Sequence, residues 1–257
     1  MPKIIDCFIF YNELKMLKFR LTELYNTVDF FIVVESTYTF SGKKKELFFE
    51  NHKNEFSEFK DKIIHVIVED MPNNDNAWYN EFHQRKSIDR GIKMLNLNDK
   101  DIIIITDCDE IPNPKVINQI KVSGITEHIH TLEMEMYYYN LECRGKDYIW
   151  QYAKLLTYKT YNKQRDPQYI RNHGNMKIQH GGWHFSYFGD VSFIKNKIKH
   201  FSHQELNSEK YLNDVLIQTQ INNCDDLFFR DNKNVHNFQK YPLSENKNLP
   251  KNYKMLL

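Results

Sequence analysis

Four short runs of this chain are apolar almost throughout: KIIDCFIF (3–10), VDFFIVVES (28–36), IIHVIVED (63–70) and DIIIITD (101–107). A strand with one wet face alternates apolar and polar side chains, so runs this continuous belong to strands covered on both faces. Helix-period segments separate them. NELKMLKFRLTELYN (12–26) sets Leu14, Leu17, Leu21 and Leu24 on one face, with Asn12 placed to cap it. A short helix is expected over 51–59 and a long one over 76–95. Strand–helix–strand repetition with buried strands predicts an α/β fold: a mostly parallel central sheet flanked by helices. Ligands of such sheets bind beyond the carboxyl ends of the strands. Those ends carry Tyr11 and Asn12, Glu35, Glu69 and Asp70, and Asp107 with Asp109.

The second half changes character. EHIHTLEMEMYYYN (127–140) and WQYAKLLTYKTY (150–161) alternate as exposed or mixed strands do. GGWHFSYFGD (181–190) leads into a basic helix over 191–200, and another helix is expected within 200–221. The tail, 231–257, is polar with few apolar positions and reads as a surface wrap. No internal repeat or linker divides the 257 residues.

A formal net charge of +1 removes the general field that nucleic acids or anionic membranes would need, and no stretch approaches 18 apolar residues. The N-terminal apolar run is too short for a secretory leader. The cysteines at 7, 108, 143 and 224 show no C-x-x-C spacing, and all four are expected to be reduced thiols. These features together predict a cytoplasmic protein with no membrane span. Aromatic residues reach 14%; most must be core, and a surplus on a concave surface would suit stacking against sugar or base faces.

The acids concentrate the chemistry. IIIITDCDEIP (102–112) drives a buried strand into Asp107, Asp109 and Glu110. In an extended segment positions i and i+2 point the same way, so Asp107 and Asp109 would face one ligand and Glu110 the other side. Paired carboxylates suit Mn²⁺ or Mg²⁺, which take oxygen ligands and keep substrate phosphates in their shell. A solvated acidic turn is the alternative. In GGWHFSYFGD the glycines permit close backbone approach, Trp183 is a stacking platform, and Asp190 is either a helix cap or a general base. His184 is a base, a ligand or a packed core residue. HFSHQE (200–205) offers His203 as a further metal ligand and Glu205 as an alternative base, against a helix start with a polar face. Arg85 reaches an acid or a phosphate, or forms a surface ion pair. The lysines at 43–45 read as a solvated loop, with contact to a diphosphate as the lesser alternative.

Several of these motifs in order resemble glycosyltransferase family 17, which includes β-1,4-mannosyl-glycoprotein β-1,4-N-acetylglucosaminyltransferases. They are FIFYNEL with the following stretch to 47, EFHQRKSI (81–88), IIIITDCDEIP and GGWHFSYFG, spread over residues 3–205. The resemblance implies a single Rossmann-like, GT-A-type domain. Residues 1–125 would form a nucleotide-sugar half, 126–225 a smaller mixed acceptor half, and 226–257 a tail. It implies UDP-GlcNAc as donor, Mn²⁺ or Mg²⁺ as cofactor, a glycan hydroxyl as acceptor, and inversion at the anomeric carbon. Tyr11, Asn12, Glu35, Arg85 and Asp107 would hold the nucleotide; Asp107, Asp109 and His203 the metal. Asp190 would be the base, with His184 and Glu205 as alternatives, and Trp183 with Tyr138 would orient the acceptor. A sugar-nucleotide hydrolase using the same acids, and a non-catalytic carbohydrate-binding protein, are the rival readings.

Overall fold

The structure, a computed structural model, describes residues 1–72, 74–230 and 237–257. The four apolar runs form β1 (Ile4–Phe10), β2 (Phe30–Ser36), β3 (Ile63–Val68) and β4 (Ile102–Asp107), in spatial order β3-β2-β1-β4 and all parallel. β1 is buried along its whole length, as a strand covered on both faces must be. On one face lie α1 (Leu14–Leu24) and α5 (Pro114–Ser123). On the other lie α3 (Ala77–Lys86) and α4 (Ile88–Ile92), with α2 (Phe48–His52) in the β2–β3 connection. The expected 76–95 helix is therefore two helices. Ser87 interrupts it, its hydroxyl donating to the His83 carbonyl at 3.0 Å. Asn12 does not cap α1. Glu13 stands at the N-cap, and its carboxylate instead accepts from the Tyr11 and Asn12 amides.

The sheet then continues antiparallel. After β5 (Glu110–Pro112) come β6 (His130–Tyr138), β7 (Cys143–Trp150), β8 (Lys154–Thr157), β9 (Met176–Ser186) and β10 (Phe238–Lys240). β8 pairs with β4, while β9 runs parallel to β6 and antiparallel to β5. Helices α6 (Tyr158–Gln164), α7 (Pro167–Asn172), α8 (Val191–His200) and α9 (Asp214–Asn223) complete this half. The expected α/β class is thus what the chain forms, a parallel set of strands continued by a mixed set in one sheet flanked by helices. Residues 231–236 of the expected surface wrap lie outside the described residues. The remainder is anchored: β10 extends the sheet beside β7, and Leu243, Leu249, Tyr253, Met255 and Leu256 pack on the core beneath α1.

The cysteine expectation needs correction. Cys7 and Cys108 are free and buried, but Cys143 and Cys224 form a disulfide, with Cα atoms 5.4 Å apart, between β7 and the C-terminal cap of α9. The partners are 81 residues apart in sequence, so no local spacing announces them. Among the described residues no helix is long and apolar enough to cross a membrane.

Candidate active site

β1 lies between β2 and β4, so the chain leaves β1 to one side and later returns to the other. That arrangement opens a crevice at the carboxyl ends of β1 and β4. Ile9 pairs with Asp107, which brings the segment after β1 beside the acidic turn after β4. Strand β4 ends at Asp107, residues 108–109 form a turn, and β5 begins at Glu110. The extended i, i+2 geometry therefore does not apply, and the two aspartates part company.

Asp107 faces two guanidiniums. Arg85 on α3 donates at 2.9 Å and Arg171 on α7 at 2.5 Å, one to each carboxylate oxygen. Glu110, expected on the other side, shares Arg171 at 2.6 and 2.9 Å. It also accepts from the Asp107 amide at 2.9 Å and from the Trp150 indole at 2.6 Å. Burial would raise its carboxyl, but Arg171 brings it down to about 2. Asp109 meets Lys197 on α8 at 2.8 Å and His184 on β9 at 3.5 Å. Burial opposes its ionisation, yet Lys197 and His184 hold it well below the ordinary carboxylate range. The His184 Nδ1 is buried without a hydrogen-bond partner, and its ring lies 4.2 Å from that of Trp150.

Beneath the turn sits Arg20, fully buried on α1. It is paired with the equally buried Asp6 of β1 at 2.5 and 2.8 Å. Its Nη1 also donates to the carbonyls of Asp107 and Glu110, at 2.9 and 2.7 Å. Beside the turn runs a cleft lined by Tyr11, Glu13, Lys45, Gln84, Lys197 and His200, among others. Lys45 and Phe48 close on the Tyr11 ring, and Asn196 reaches its hydroxyl at 3.4 Å. The enclosed part is small, about 70 Å³, so only a portion of a nucleotide-sized ligand fits inside it.

Of the residues singled out in the sequence, Tyr11, Arg85, Asp107, Asp109 and His184 come together here. Asn12 adjoins them, its backbone N–H donating to the Glu13 carboxylate at 3.1 Å. Glu35 is wholly buried behind the cleft. It accepts from the Phe49 amide (3.0 Å) and His65 (3.1 Å) and stands 3.6 Å from Lys45, so it acts on the cleft only through that lysine. Asp190 is exposed and caps α8, accepting from the Phe193 amide at 2.7 Å. His203 and Glu205 are exposed and paired with each other at 2.6 Å. Tyr138 is buried in an aromatic cluster, stacked on Phe238. Trp183 points away from His184, because neighbours on a strand face opposite sides. It is buried, with its indole bonded to the Asn248 carbonyl at 2.6 Å. It lines a separate groove of about 680 Å³ that also includes Asn26 and Thr27, before β2, and so lies at the other ends of the strands. Neither aromatic offers an open ring face to the acidic turn.

The expected metal set is not assembled. Both oxygens of Asp107 are taken by guanidiniums, Asp109 holds an ammonium, and His203 is turned toward Glu205 and the Trp78 ring. Among the described residues no group of three His, Cys, Asp or Glu side chains could hold a metal ion. The residues unforeseen are the cations Arg20, Arg171 and Lys197, while Lys45 takes the lesser of the two readings given to the 43–45 lysines. One left a trace in sequence: Arg20 stands in the apolar stripe of α1, and its partner Asp6 interrupts a buried strand.

The chain is 29% identical over 116 residues to the β-1,4-mannosyl-glycoprotein 4-β-N-acetylglucosaminyltransferases of Rattus norvegicus and Homo sapiens. Those matches cover 43% of this chain and 22% of the length of each relative, so the chain matches about a fifth of them. Among solved structures, the mannosyltransferase PcManGT from Pyrobaculum calidifontis, in complex with GDP-Man and Mn²⁺, aligns at TM-score 0.45 and 11% identity. It covers 77% of this chain and 61% of that one. Residues 1–349 of S. aureus TarS align at TM-score 0.41 and 11% identity, over 90% of this chain and 73% of that one. The match that embraces the acidic turn, the cleft and both halves of the sheet is to a family model, over residues 1–241; the chain belongs to glycosyltransferase family 17.

Proposed function

We propose that this glycosyltransferase moves N-acetylglucosamine from UDP-GlcNAc to a glycan hydroxyl with inversion. The observation that carries the reading is the cleft at the β1–β4 switch point. It is walled by Tyr11 and His200, supplied with cations by Lys45 and Lys197, and adjoins Asp109. An aromatic wall suits a base, and ammoniums suit a diphosphate. The sugar is proposed from the activity named for the mammalian relatives. The acceptor hydroxyl attacks C1, the C1–O bond to the diphosphate breaks, and UDP leaves with the electron pair.

His184 is our choice to receive the hydroxyl proton. Of the three candidate bases, it alone borders the acidic turn. Asp109, 3.5 Å from its Nε2, would stabilise the imidazolium. Asp190 serves the fold as a cap. The disulfide fits an oxidising compartment, so we place the working chain there rather than in the cytoplasm.

The test is UDP release from UDP-GlcNAc across a panel of glycans. Release should rise sharply with the right glycan; release indifferent to every acceptor would favour the hydrolase. His184→Asn should lower turnover by roughly 10²–10⁴ while sparing UDP binding. Asp190→Asn, which keeps the cap, should turn over nearly normally. The reverse pattern would hand the proton to Asp190.

A further inference from the structure

The acids of the turn are already paired with the protein's own cations, and two lysines engaged in such pairs, Lys197 with Asp109 and Lys45 with Glu35, also line the cleft. Lys197 projects from α8, whose Ile194 and Ile198 are buried beneath it. Its side chain keeps 22% of its exposure, and Nζ lies 2.8 Å from the Asp109 carboxylate. Lys45 keeps only 6%, held 3.6 Å from Glu35 with Nζ 5.4 Å above the Tyr11 ring centre. Both line the same cleft, at the end of the sheet where a nucleotide's phosphates would lie. A divalent cation entering at Asp109 would have to expel the Lys197 ammonium or sit beside it, and like charges at that range repel strongly.

We propose that Lys197 and Lys45 grip the diphosphate of the donor, so that nucleotide binding needs no divalent cation. The inference rests on reading the cleft as a nucleotide-sugar site. Asp109 then serves to orient Lys197, and Glu35 to orient Lys45. Each ammonium has three N–H donors, so after bonding its own carboxylate it still has donors for phosphate oxygens, which an isolated acidic pair would repel. Lysine suits the task as a compact point charge on a flexible stem.

Calorimetric titration of the whole chain with UDP, in EDTA and in MnCl₂, tests this. The expected result is a Kd in EDTA within about threefold of that in Mn²⁺. Lys197→Gln should weaken UDP by at least about tenfold in EDTA, Lys197→Arg should recover most of the loss, and Lys45→Met should show a similar deficit. Binding confined to the Mn²⁺ buffer would overturn the proposal while leaving the nucleotide site intact. An unchanged Kd in Lys197→Gln and Lys45→Met would do the same. The wild-type comparison stands even if a variant fails to fold. Binding of neither UDP nor GDP in either buffer would overturn both this proposal and the nucleotide-sugar reading.

Discussion

Arg20 shows how one side chain sets the geometry of a site it does not enter. Its guanidinium neutralises Asp6, bonds the Thr106 hydroxyl at 2.6 Å and gathers the carbonyls of the acidic turn. Those carbonyls lie where a strand has ended, and a buried carbonyl without a donor costs free energy. Arg20→Met leaves the Asp6 carboxyl without its partner in a site with no solvent exposure. Breaking a buried pair from one side costs about 3–5 kcal/mol, whereas replacing both partners with apolar groups is often neutral. Urea unfolding should show that loss for Arg20→Met and a partial recovery for Arg20→Met with Asp6→Leu. The double variant should still bind UDP poorly, because the turn has lost its donor whatever becomes of the charge. Normal UDP affinity in the double variant would show that the turn holds its shape without Arg20.

At the scale of elements, the site depends on β9 lying flush against β5, since that pairing sets Glu110 opposite His184. Gly182 makes it possible: its φ is +153°, and a Cβ there would collide with the Ile111 carbonyl oxygen. Gly182→Ala should therefore cost about 3 kcal/mol, the upper end for overpacking, and impair turnover with it. Gly124→Ala is the control. Its φ is +74° but its surroundings are open, so about 1 kcal/mol is expected from backbone strain alone. Equal losses in thermal unfolding would mean that close approach at Gly182 is not what matters. The glycine pair and the acids were legible in the sequence, as were β1 to β4, whose continuous apolar runs admit few other readings. β5 was not, because three residues carry no periodicity. Nor was α5, which opens on Pro114 in the first turn of the helix, where its missing N–H costs nothing. The cations of the site were hidden for another reason. Arg171 reaches Asp107 across 64 residues and Lys197 reaches Asp109 across 88, and only tertiary packing decides such meetings.

Over the whole molecule, the parallel half and the mixed half share one sheet, so motion in the outer strands can reach the cleft through α8. That helix carries Lys197 on one side and packs against α9 and the Tyr187–Phe228 cluster on the other. The Cys143–Cys224 disulfide pins the end of α9 to β7 and closes a long loop. For a sequence separation of 81, the loop-entropy estimate gives about 4.5 kcal/mol of stabilisation. Cys7 and Cys108 are buried and unbonded, so a mild reductant has this pair as its target. Reduction should lower the urea midpoint of the wild type and weaken UDP binding, because the layer supporting Lys197 loosens. Cys143→Ala with Cys224→Ala should start from the lowered midpoint and ignore the reductant. A wild-type midpoint unmoved by reductant would mean that the bridge adds nothing to the fold. A lowered midpoint with unchanged UDP affinity would confine its influence to α9 and leave α8 held by its own apolar face.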